Sequence, residues 1–395
     1  MNDISGRGWR QPAIWYAYLT TGLETFFFSI QGNIVPFLKD EMGLSYRLVS
    51  FHSSGLAIGV LLAGALGERA LRPLGRRLTS GIGAAGMVAG AILICLASSA
   101  WVSIPGFVLV GAFGALIPIV GVAVLEDAPR DWRPVAYAEC NVMAYVFALA
   151  APLLMGLCVA RGIGWRGPLV AGMAASGAIL WLFRATPLPA SRPSGSGRRK
   201  VALPAAYWAY WALLSLGVAM EYAVLLWAPA FLEKIVGLPR DTAAALSATF
   251  FAAMMIGRYA GSHLVRFLPA RIIYYAILLI ILVGFLAYWA WPSPAAAVAG
   301  LFLLGLGIAQ FYPLTASLAV AAGGADADKA GARLMSAAGL ALLAAPAAMG
   351  ILADVIGLRF AQLVLPVLGL AALGAFLLAR RLESQARIGA VTSPI

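Results

Sequence analysis

Twelve long apolar stretches occupy most of the 395-residue chain and limit how it can fold. Each is about 17–28 residues long, and about 20 apolar residues in a helix cross the roughly 30 Å hydrocarbon core of a bilayer. The stretches are residues 13–38, 48–69, 78–98, 102–125, 134–159, 167–183, 204–231, 242–264, 272–291, 294–321, 333–353 and 360–379. They predict an all-α integral membrane protein with twelve transmembrane helices.

The composition supports lipid as the solvent for this chain. Apolar residues make up 62% of it and charged residues 11%, with a mean hydropathy of +0.90, whereas a soluble domain is about half apolar and a quarter charged. The first apolar run is too long for a cleavable signal peptide and carries Glu24. All three cysteines fall inside spans, so we expect neither a disulfide framework nor a metal site, and no cofactor.

The positive charges predict the orientation in the membrane. With both termini in the cytoplasm, the cytoplasmic segments hold 20 of the 28 Lys and Arg residues, the outer loops hold seven, and Arg258 lies within a span. This is the positive-inside bias. We therefore expect a multi-pass protein with both termini in the cytoplasm, and we interpret the net charge of +12 as an orientation signal, with no nucleic-acid partner. We also expect a monomer in the inner (plasma) membrane.

The two halves of the chain repeat each other. Residues 150–156 read Ala-Ala-Pro-Leu-Leu-Met-Gly and residues 344–350 read Ala-Ala-Pro-Ala-Ala-Met-Gly, an offset of 194 residues. Gly43-Leu44 and Gly237-Leu238 keep this offset, and Pro118 and Pro313 are 195 apart. We predict two six-helix bundles, 1–183 and 204–395, joined by a Pro-, Gly- and Ser-rich cytoplasmic linker at 184–203. Repeated halves in a membrane protein are typical of transporters in which one bundle rocks against the other.

The loop after the second span carries a family signature, formed by Gly64, Leu66, Glu68, Arg69, Gly75, Arg76 and Arg77. Together with the spans, the repeat and the long central loop, it resembles the major facilitator superfamily. Glu68 stands where that family usually has Asp, and extra residues separate Arg69 from Gly75. The resemblance implies that Glu68, Arg69, Arg76 and Arg77 latch the two halves on the cytoplasmic side; the alternative is that they only set the topology.

The second half is similar to the fucose-permease-like sugar transporters of that superfamily. The similarity is carried by Glu221-Tyr222, Trp227-Ala228-Pro229, Ile256-Gly257-Arg258, Gly261, Gly307 and Phe311-Tyr312-Pro313. It implies that the solute is a sugar or a sugar-like organic molecule.

Ionisable residues at membrane depth are costly and therefore mark functional sites. Glu24 lies near the middle of the first span and Glu221 past the middle of the seventh. Removal from water favours the protonated carboxyl, so each is predicted to load and release a coupling proton; the alternative is a structural hydrogen bond. Arg258 and Glu139 are predicted to form one buried ion pair or gate, although Arg258 can instead bind a substrate anion or extend to the interface.

Polar and aromatic residues on the predicted cavity side complete the candidate site. Thr20, Glu24, Phe28 and Gln31 recur on one face of the first span. The candidate substrate ligands are Gln31, Asn141, Tyr145, Trp227, Arg258, Gln310 and Tyr312. Helix–helix hydrogen bonds are the alternative for the four polar residues on spans five and ten. An interfacial belt position is the alternative for Trp227.

Two further motifs are interpreted as helix packing. Gly81-x-Gly83-x-x-Gly86 matches a dinucleotide fingerprint, but no strand precedes it, so close packing explains it better. Residues 151–156 partly resemble the family's antiporter signature, yet the same string recurs on span eleven. The chain shows no hydrolase, metalloprotease or nucleotide-loop motif, so we do not expect an enzyme.

The function predicted from the sequence is secondary active transport by alternating access. The leading hypothesis is proton-coupled import of a small polar solute. The alternative is a proton-driven efflux antiporter for amphipathic compounds, which the aromatic residues of spans one and seven favour.

Overall fold

The computed structural model describes residues 11–71, 74–188, 203–291, 293–323 and 327–392. Within these ranges the chain is helical and has no β-strand. In chain order the helices are α1 (Pro12–Ser29), α2 (Gln31–Met42), α3 (Tyr46–Leu71), α4 (Gly75–Leu96), α5 (Ala100–Gly114), α6 (Leu116–Leu125), α7 (Arg133–Ala160), α8 (Gly167–Leu182), α9 (Ala205–Lys234), α10 (Arg240–Leu264), α11 (Ala270–Ala290), α12 (Pro294–Ala309), α13 (Phe311–Ala322), α14 (Ala327–Ile356), α15 (Leu358–Ala361) and α16 (Val364–Thr392).

The helices confirm the membrane class predicted from the sequence. In the described part of the chain, ten segments are long and apolar enough to cross a membrane. The two other predicted spans differ for separate reasons: Gly167–Leu182 is a shorter apolar helix, and the first span is divided at Ile30 into α1 and α2. The fold is therefore that of an all-helical, multi-pass membrane protein.

Two spans break at equivalent positions of the repeat because of proline. Pro118 lies in the first turn of α6 and Pro313 in the first turn of α13. A proline has no N–H to bond the carbonyl four residues earlier, and its ring clashes with that carbonyl. Those carbonyls belong to Gly114 and Ala309, the last residues of α5 and α12.

The backbone also repeats at the helix connections. Gly43 and Gly237 have φ angles of 62° and 81°, and Gly164 and Gly357 have φ angles of 85° and 82°. A positive φ is strained for residues with a Cβ atom, so glycine is required at these turns. The pairs are 194 and 193 residues apart, which are the offsets found in the sequence.

Packing within each half follows the same plan. Helix α1 packs against α6, α7 and α8, and its counterpart α9 packs against α13, α14 and α16. Small residues allow some of these helices to approach closely. A Cβ atom on Gly86 of α4 would lie 2.1 Å from the Phe113 ring of α5, and one on Gly83 would lie 2.9 Å from the Phe113 carbonyl. This is the close packing expected for the glycine motif.

Contacts divide the chain into two compact units. The first comprises Met1–Ser194 with Leu238–Phe251, and the second comprises Gly195–Gly237 with Ala252–Ile395. Helix α10 belongs to the second repeat by sequence, yet its residues 240–251 pack in the first unit. The bundle limits 1–183 and 204–395 stay a prediction.

Candidate functional site

The first unit holds a buried carboxyl group on α1. Glu24 is only 9% exposed, and the hydroxyl of Thr25 donates to its Oε2 at 3.3 Å. Among the described residues, no ion pair joins Glu24 to a basic side chain. A carboxyl group in such surroundings is held by a neutral hydroxyl, and its charge is not compensated.

The other members of the predicted stripe on the first span take part in packing or local bonds. The Thr20 hydroxyl donates to the Tyr16 carbonyl of its own helix at 2.7 Å. The Phe28 ring lies against Gly114 of α5, where a Cβ atom would come within 2.9 Å. Polarity along this face is therefore concentrated at Glu24 and, beyond the break at Ile30, at Gln31.

Gln31 is almost fully buried at the start of α2. It is 1% exposed, and its Oε1 accepts a hydrogen bond from the Ser53 hydroxyl of α3 at 3.0 Å. Its Nε2 is buried with no hydrogen-bond acceptor among the described residues. A buried donor without an acceptor is costly in a protein interior. Gln31 is therefore a predicted ligand with unused hydrogen-bonding capacity.

Three predicted site residues lie on α7, and Glu139 among them is hydrogen-bonded to α1. The Tyr18 hydroxyl donates to Glu139 Oε2 at 3.1 Å, which links α1 to α7. Asn141 is exposed and its amide donates to the Tyr137 carbonyl of the same helix at 3.0 Å. Tyr145 is partly exposed one turn further along. The predicted pairing of Glu139 with Arg258 stays a prediction.

The second unit holds three of the predicted site residues. Glu221 of α9, Arg258 of α10 and Tyr312 of α13 are all partly buried. The Arg258 guanidinium interacts electrostatically with the Glu221 carboxyl and with the Tyr312 phenol. Glu221 thus has a cation beside it, whereas Glu24 in the first unit has a hydroxyl.

Gln310 fixes the position of α10 next to these three residues. It forms the break between α12 and α13, and its Nε2 donates to the Gly257 carbonyl at 2.7 Å. A Cβ atom on Gly261 would lie 1.8 Å from the Gln310 side-chain Cδ, so only glycine leaves room for the amide. This contact is the helix–helix hydrogen bond considered as the alternative for Gln310, and it orients the helix that carries Arg258.

Trp227 is buried inside the second unit. Its side chain is 0% exposed. An interfacial belt residue would expose part of its ring, so the structure disfavours that alternative. A stacking role for Trp227 stays a prediction.

The basic loop residues have partners within the first unit. Arg76 forms an ion pair with Asp127, next to the end of α6, and both side chains are largely buried. Arg77 donates to the backbone carbonyls of Phe183, Arg184 and Thr186, just beyond the end of α8. A cation there interacts favourably with the C-terminal end of a helix. The side chains of Glu68 and Arg69 lie outside the described residues, so the latch stays a prediction.

Sequence reasoning missed a polar contact of α2. Asn33 and Ser247 are buried, and the Ser247 hydroxyl of α10 donates to Asn33 Oδ1 at 3.2 Å. Both are polar residues inside apolar stretches, which is the signal that could have identified them. In the described part of the chain no group of three His, Cys, Asp or Glu residues is suited to a metal ion.

Comparisons with known structures identify the fold. The chain is similar to a bacterial homologue of the human lysosomal transporter Spinster in an inward-facing, unoccupied conformation, with a TM-score of 0.74, 15% identity, and coverage of 95% of this chain and 98% of that chain. It is also similar to a D-xylose-proton symporter (TM-score 0.74, 16% identity, 92% and 96% covered) and to the nucleoside transporter NupG (0.71, 15%, 92% and 99%).

Comparison of the sequence itself identifies the family. No curated protein sequence matches the chain significantly. The sequence profile of the Major Facilitator Superfamily matches residues 17–326, which is most of the chain. The chain therefore belongs to the major facilitator superfamily, a family of membrane transporters and not of enzymes.

Proposed function

We propose that this transporter couples the import of a small polar solute to the inward movement of protons, with Glu24 as the principal proton site. The observation that carries the proposal is the surroundings of Glu24: a buried carboxyl group whose hydrogen-bond partner is the Thr25 hydroxyl and not a cation. Because an isolated charge is costly at membrane depth, the group is more stable with a proton bound. A change in access from one side of the membrane to the other then lets it exchange that proton with a different compartment.

Glu221 is the second coupling residue in this proposal, and its role differs. The deprotonated Glu221 carboxylate attracts the positively charged Arg258 guanidinium. The protonated carboxyl group carries no charge, so this attraction is weaker. A proton on Glu221 would therefore leave Arg258 and Tyr312 better able to bind an oxygen atom of the solute. This links proton binding to solute binding through residues of one unit.

The proposed solute is a sugar or a sugar-like organic molecule. The candidate ligands Gln31, Asn141 and Tyr312 present amide and hydroxyl groups, which hydrogen-bond well to hydroxylated compounds. Two proteins with a similar fold are a D-xylose-proton symporter and a nucleoside transporter, and both solutes are polar and rich in hydroxyl groups. We also propose a monomer in the inner membrane. The charge distribution supports a cytoplasmic location of both termini.

Two measurements, carried out one after the other, test this function. Thermal unfolding of the purified protein with a panel of sugars, nucleosides, organic acids and amphipathic drugs identifies the solute, because a bound ligand stabilises the folded state by mass action. The identified solute is then added to unbuffered, energy-depleted vesicles. Import with protons makes the outside more alkaline. An outside that becomes more acidic contradicts symport and supports the efflux antiporter.

A further inference from the structure

The first part of α10 is attached to the first unit by several contacts. Arg240 forms an ion pair with Asp40 of α2, and its guanidinium lies 4.7 Å from the centre of the Phe37 ring. Two turns further along α10, the Ser247 hydroxyl donates to Asn33 of α2. Helix α7 also packs against the start of α10, since a Cβ atom on Gly156 would lie 2.7 Å from the Asp241 carbonyl oxygen. These contacts explain why residues 240–251 pack with the first unit.

Three consecutive charged residues at the end of α2 each contact a different segment. The Lys39 ammonium lies 4.5 Å from the Tyr46 ring centre at the start of α3. Asp40 pairs with Arg240. Glu41 accepts hydrogen bonds from Trp165 and Arg166 at 3.0 and 2.9 Å, just before α8. Of these contacts, the pair of Asp40 with Arg240 joins the two sequence repeats.

We propose that the Asp40–Arg240 pair is the outer gate of the transporter, closing over the Asn33–Ser247 contact. The inference rests on the proposed alternating access, in which the two sequence repeats part on each side of the membrane in turn. For the outer side to open, residues 240–251 must leave α2 and α7. A pair of charges that is 37% and 28% exposed suits this role, since water can replace each partner when the two separate.

The neighbouring Glu41–Arg166 pair provides a matched control. It lies at the same helix end, its side chains are 44% and 39% exposed, and both residues belong to the first repeat. Asp40→Asn and Glu41→Gln each remove one negative charge and keep the shape of the side chain. A gate role predicts that Asp40→Asn opens the outer side and that Glu41→Gln does not.

Exposure of Ser247 measures the gate without any transported solute. Ser247 is 4% exposed beneath the pair, so the thiol introduced by Ser247→Cys should react slowly with an impermeant maleimide added outside intact cells. We expect Asp40→Asn to raise the labelling rate about twofold to fivefold, the range given by loss of one partly exposed ion pair. Arg240→Gln should act alike, and the double variant should react no faster than either single variant. A rate in Asp40→Asn equal to that in Glu41→Gln would overturn the gate.

Three further observations separate failure of the gate from other failures. The buried native thiols of Cys140 and Cys158 must stay unlabelled, since their reaction would show unfolding. If Asp40→Asn unfolds in this way, the labelling rate of the Arg240→Gln protein tests the gate instead. The same comparison in inverted vesicles tests the orientation: a rise seen only there refutes an outer gate. If transport proves not to be coupled to protons but the labelling rates follow the expected pattern, the proposed coupling is wrong and the gate is supported.

Discussion

Replacing Glu24 by glutamine is expected to separate solute movement from proton movement. Glutamine has nearly the same shape, and its Oε1 can still accept the Thr25 hydroxyl hydrogen bond seen at 3.3 Å. It cannot gain or lose a proton near neutral pH. Because no basic partner of Glu24 is present among the described residues, the substitution leaves no cation uncompensated. The variant should therefore fold, bind solute and exchange it.

The size of the effect follows from the energy in a pH gradient. One proton moving down a gradient of one pH unit releases about 1.4 kcal/mol, and this free energy supports at most about a tenfold accumulation of solute. With one proton per solute, the wild-type protein in proteoliposomes should approach that ratio. The Glu24→Gln protein should equilibrate the labelled solute at a ratio near one, because the principal proton site no longer titrates and Glu221 alone does not complete the coupling.

The assay combines gradient-driven uptake with counterflow exchange, using the solute identified by thermal stabilisation. Counterflow needs no proton gradient, so the Glu24→Gln protein should retain it. Glu126→Gln is the matched control: it makes the same chemical change at an exposed carboxyl that pairs with Arg133, and it should accumulate solute normally. Accumulation by Glu24→Gln equal to that of the control would refute Glu24 as the proton site.

The second coupling residue should respond differently to the same change. Glu221→Gln removes the negative charge beside Arg258. Leaving a partly buried charge with a weaker partner costs about 1–3 kcal/mol, so the melting temperature should fall in Glu221→Gln and not in Glu24→Gln. Equal melting temperatures for the two variants would show that the Glu221 charge does not stabilise Arg258 in the folded protein.

Three further predictions concern topology, latch and packing. A cysteine introduced at Ser196 should react with an impermeant reagent only from the cytoplasmic side, and reaction from outside intact cells would refute the proposed orientation. Glu68→Gln should lengthen the distances between spin labels on the cytoplasmic ends of α3 and α14, and an unchanged distribution would reduce the loop motif to a topology signal. Gly86→Ala should lower the melting temperature because its Cβ would meet the Phe113 ring, whereas Gly81→Ala, with open space around it, should leave it unchanged or raise it.

Much of the fold could be predicted because lipid imposes a simple rule on sequence. Apolar runs of membrane length gave the helices with small errors at their ends, as for α4 (Gly75–Leu96, predicted 78–98) and α10 (Arg240–Leu264, predicted 242–264). The spacing of Pro118 and Pro313 contributed to the predicted repeat, whereas the helix breaks at these prolines became apparent in the structure. The division of the first span at Ile30 was not predicted, since Pro36 lies too far along to break the helix there.

The partners of the charged residues could not be predicted in the same way. Arg240 and Asp40 are 200 residues apart, and Arg77 bonds to carbonyls more than a hundred residues away. Hydrophobicity fixes which residues are helical and leaves the choice among several nearby opposite charges to tertiary packing. The sequence therefore identified Arg76 and Arg77 as important basic residues, while their contacts with Asp127 and with the end of α8 required the structure.

The candidate site lies where the two repeats differ in chemistry and not where they agree. At the repeat offset, Glu24 corresponds to Val218, and Glu221 corresponds to Phe27. Gln310 likewise corresponds to Ala115 at the equivalent helix break. The shared residues, such as the prolines and the turn glycines, build the same scaffold twice. Packing alone gives no reason to place a carboxyl in one half and an apolar side chain at the matching position of the other. These differences therefore support the proposed roles of Glu24 and Glu221 in transport.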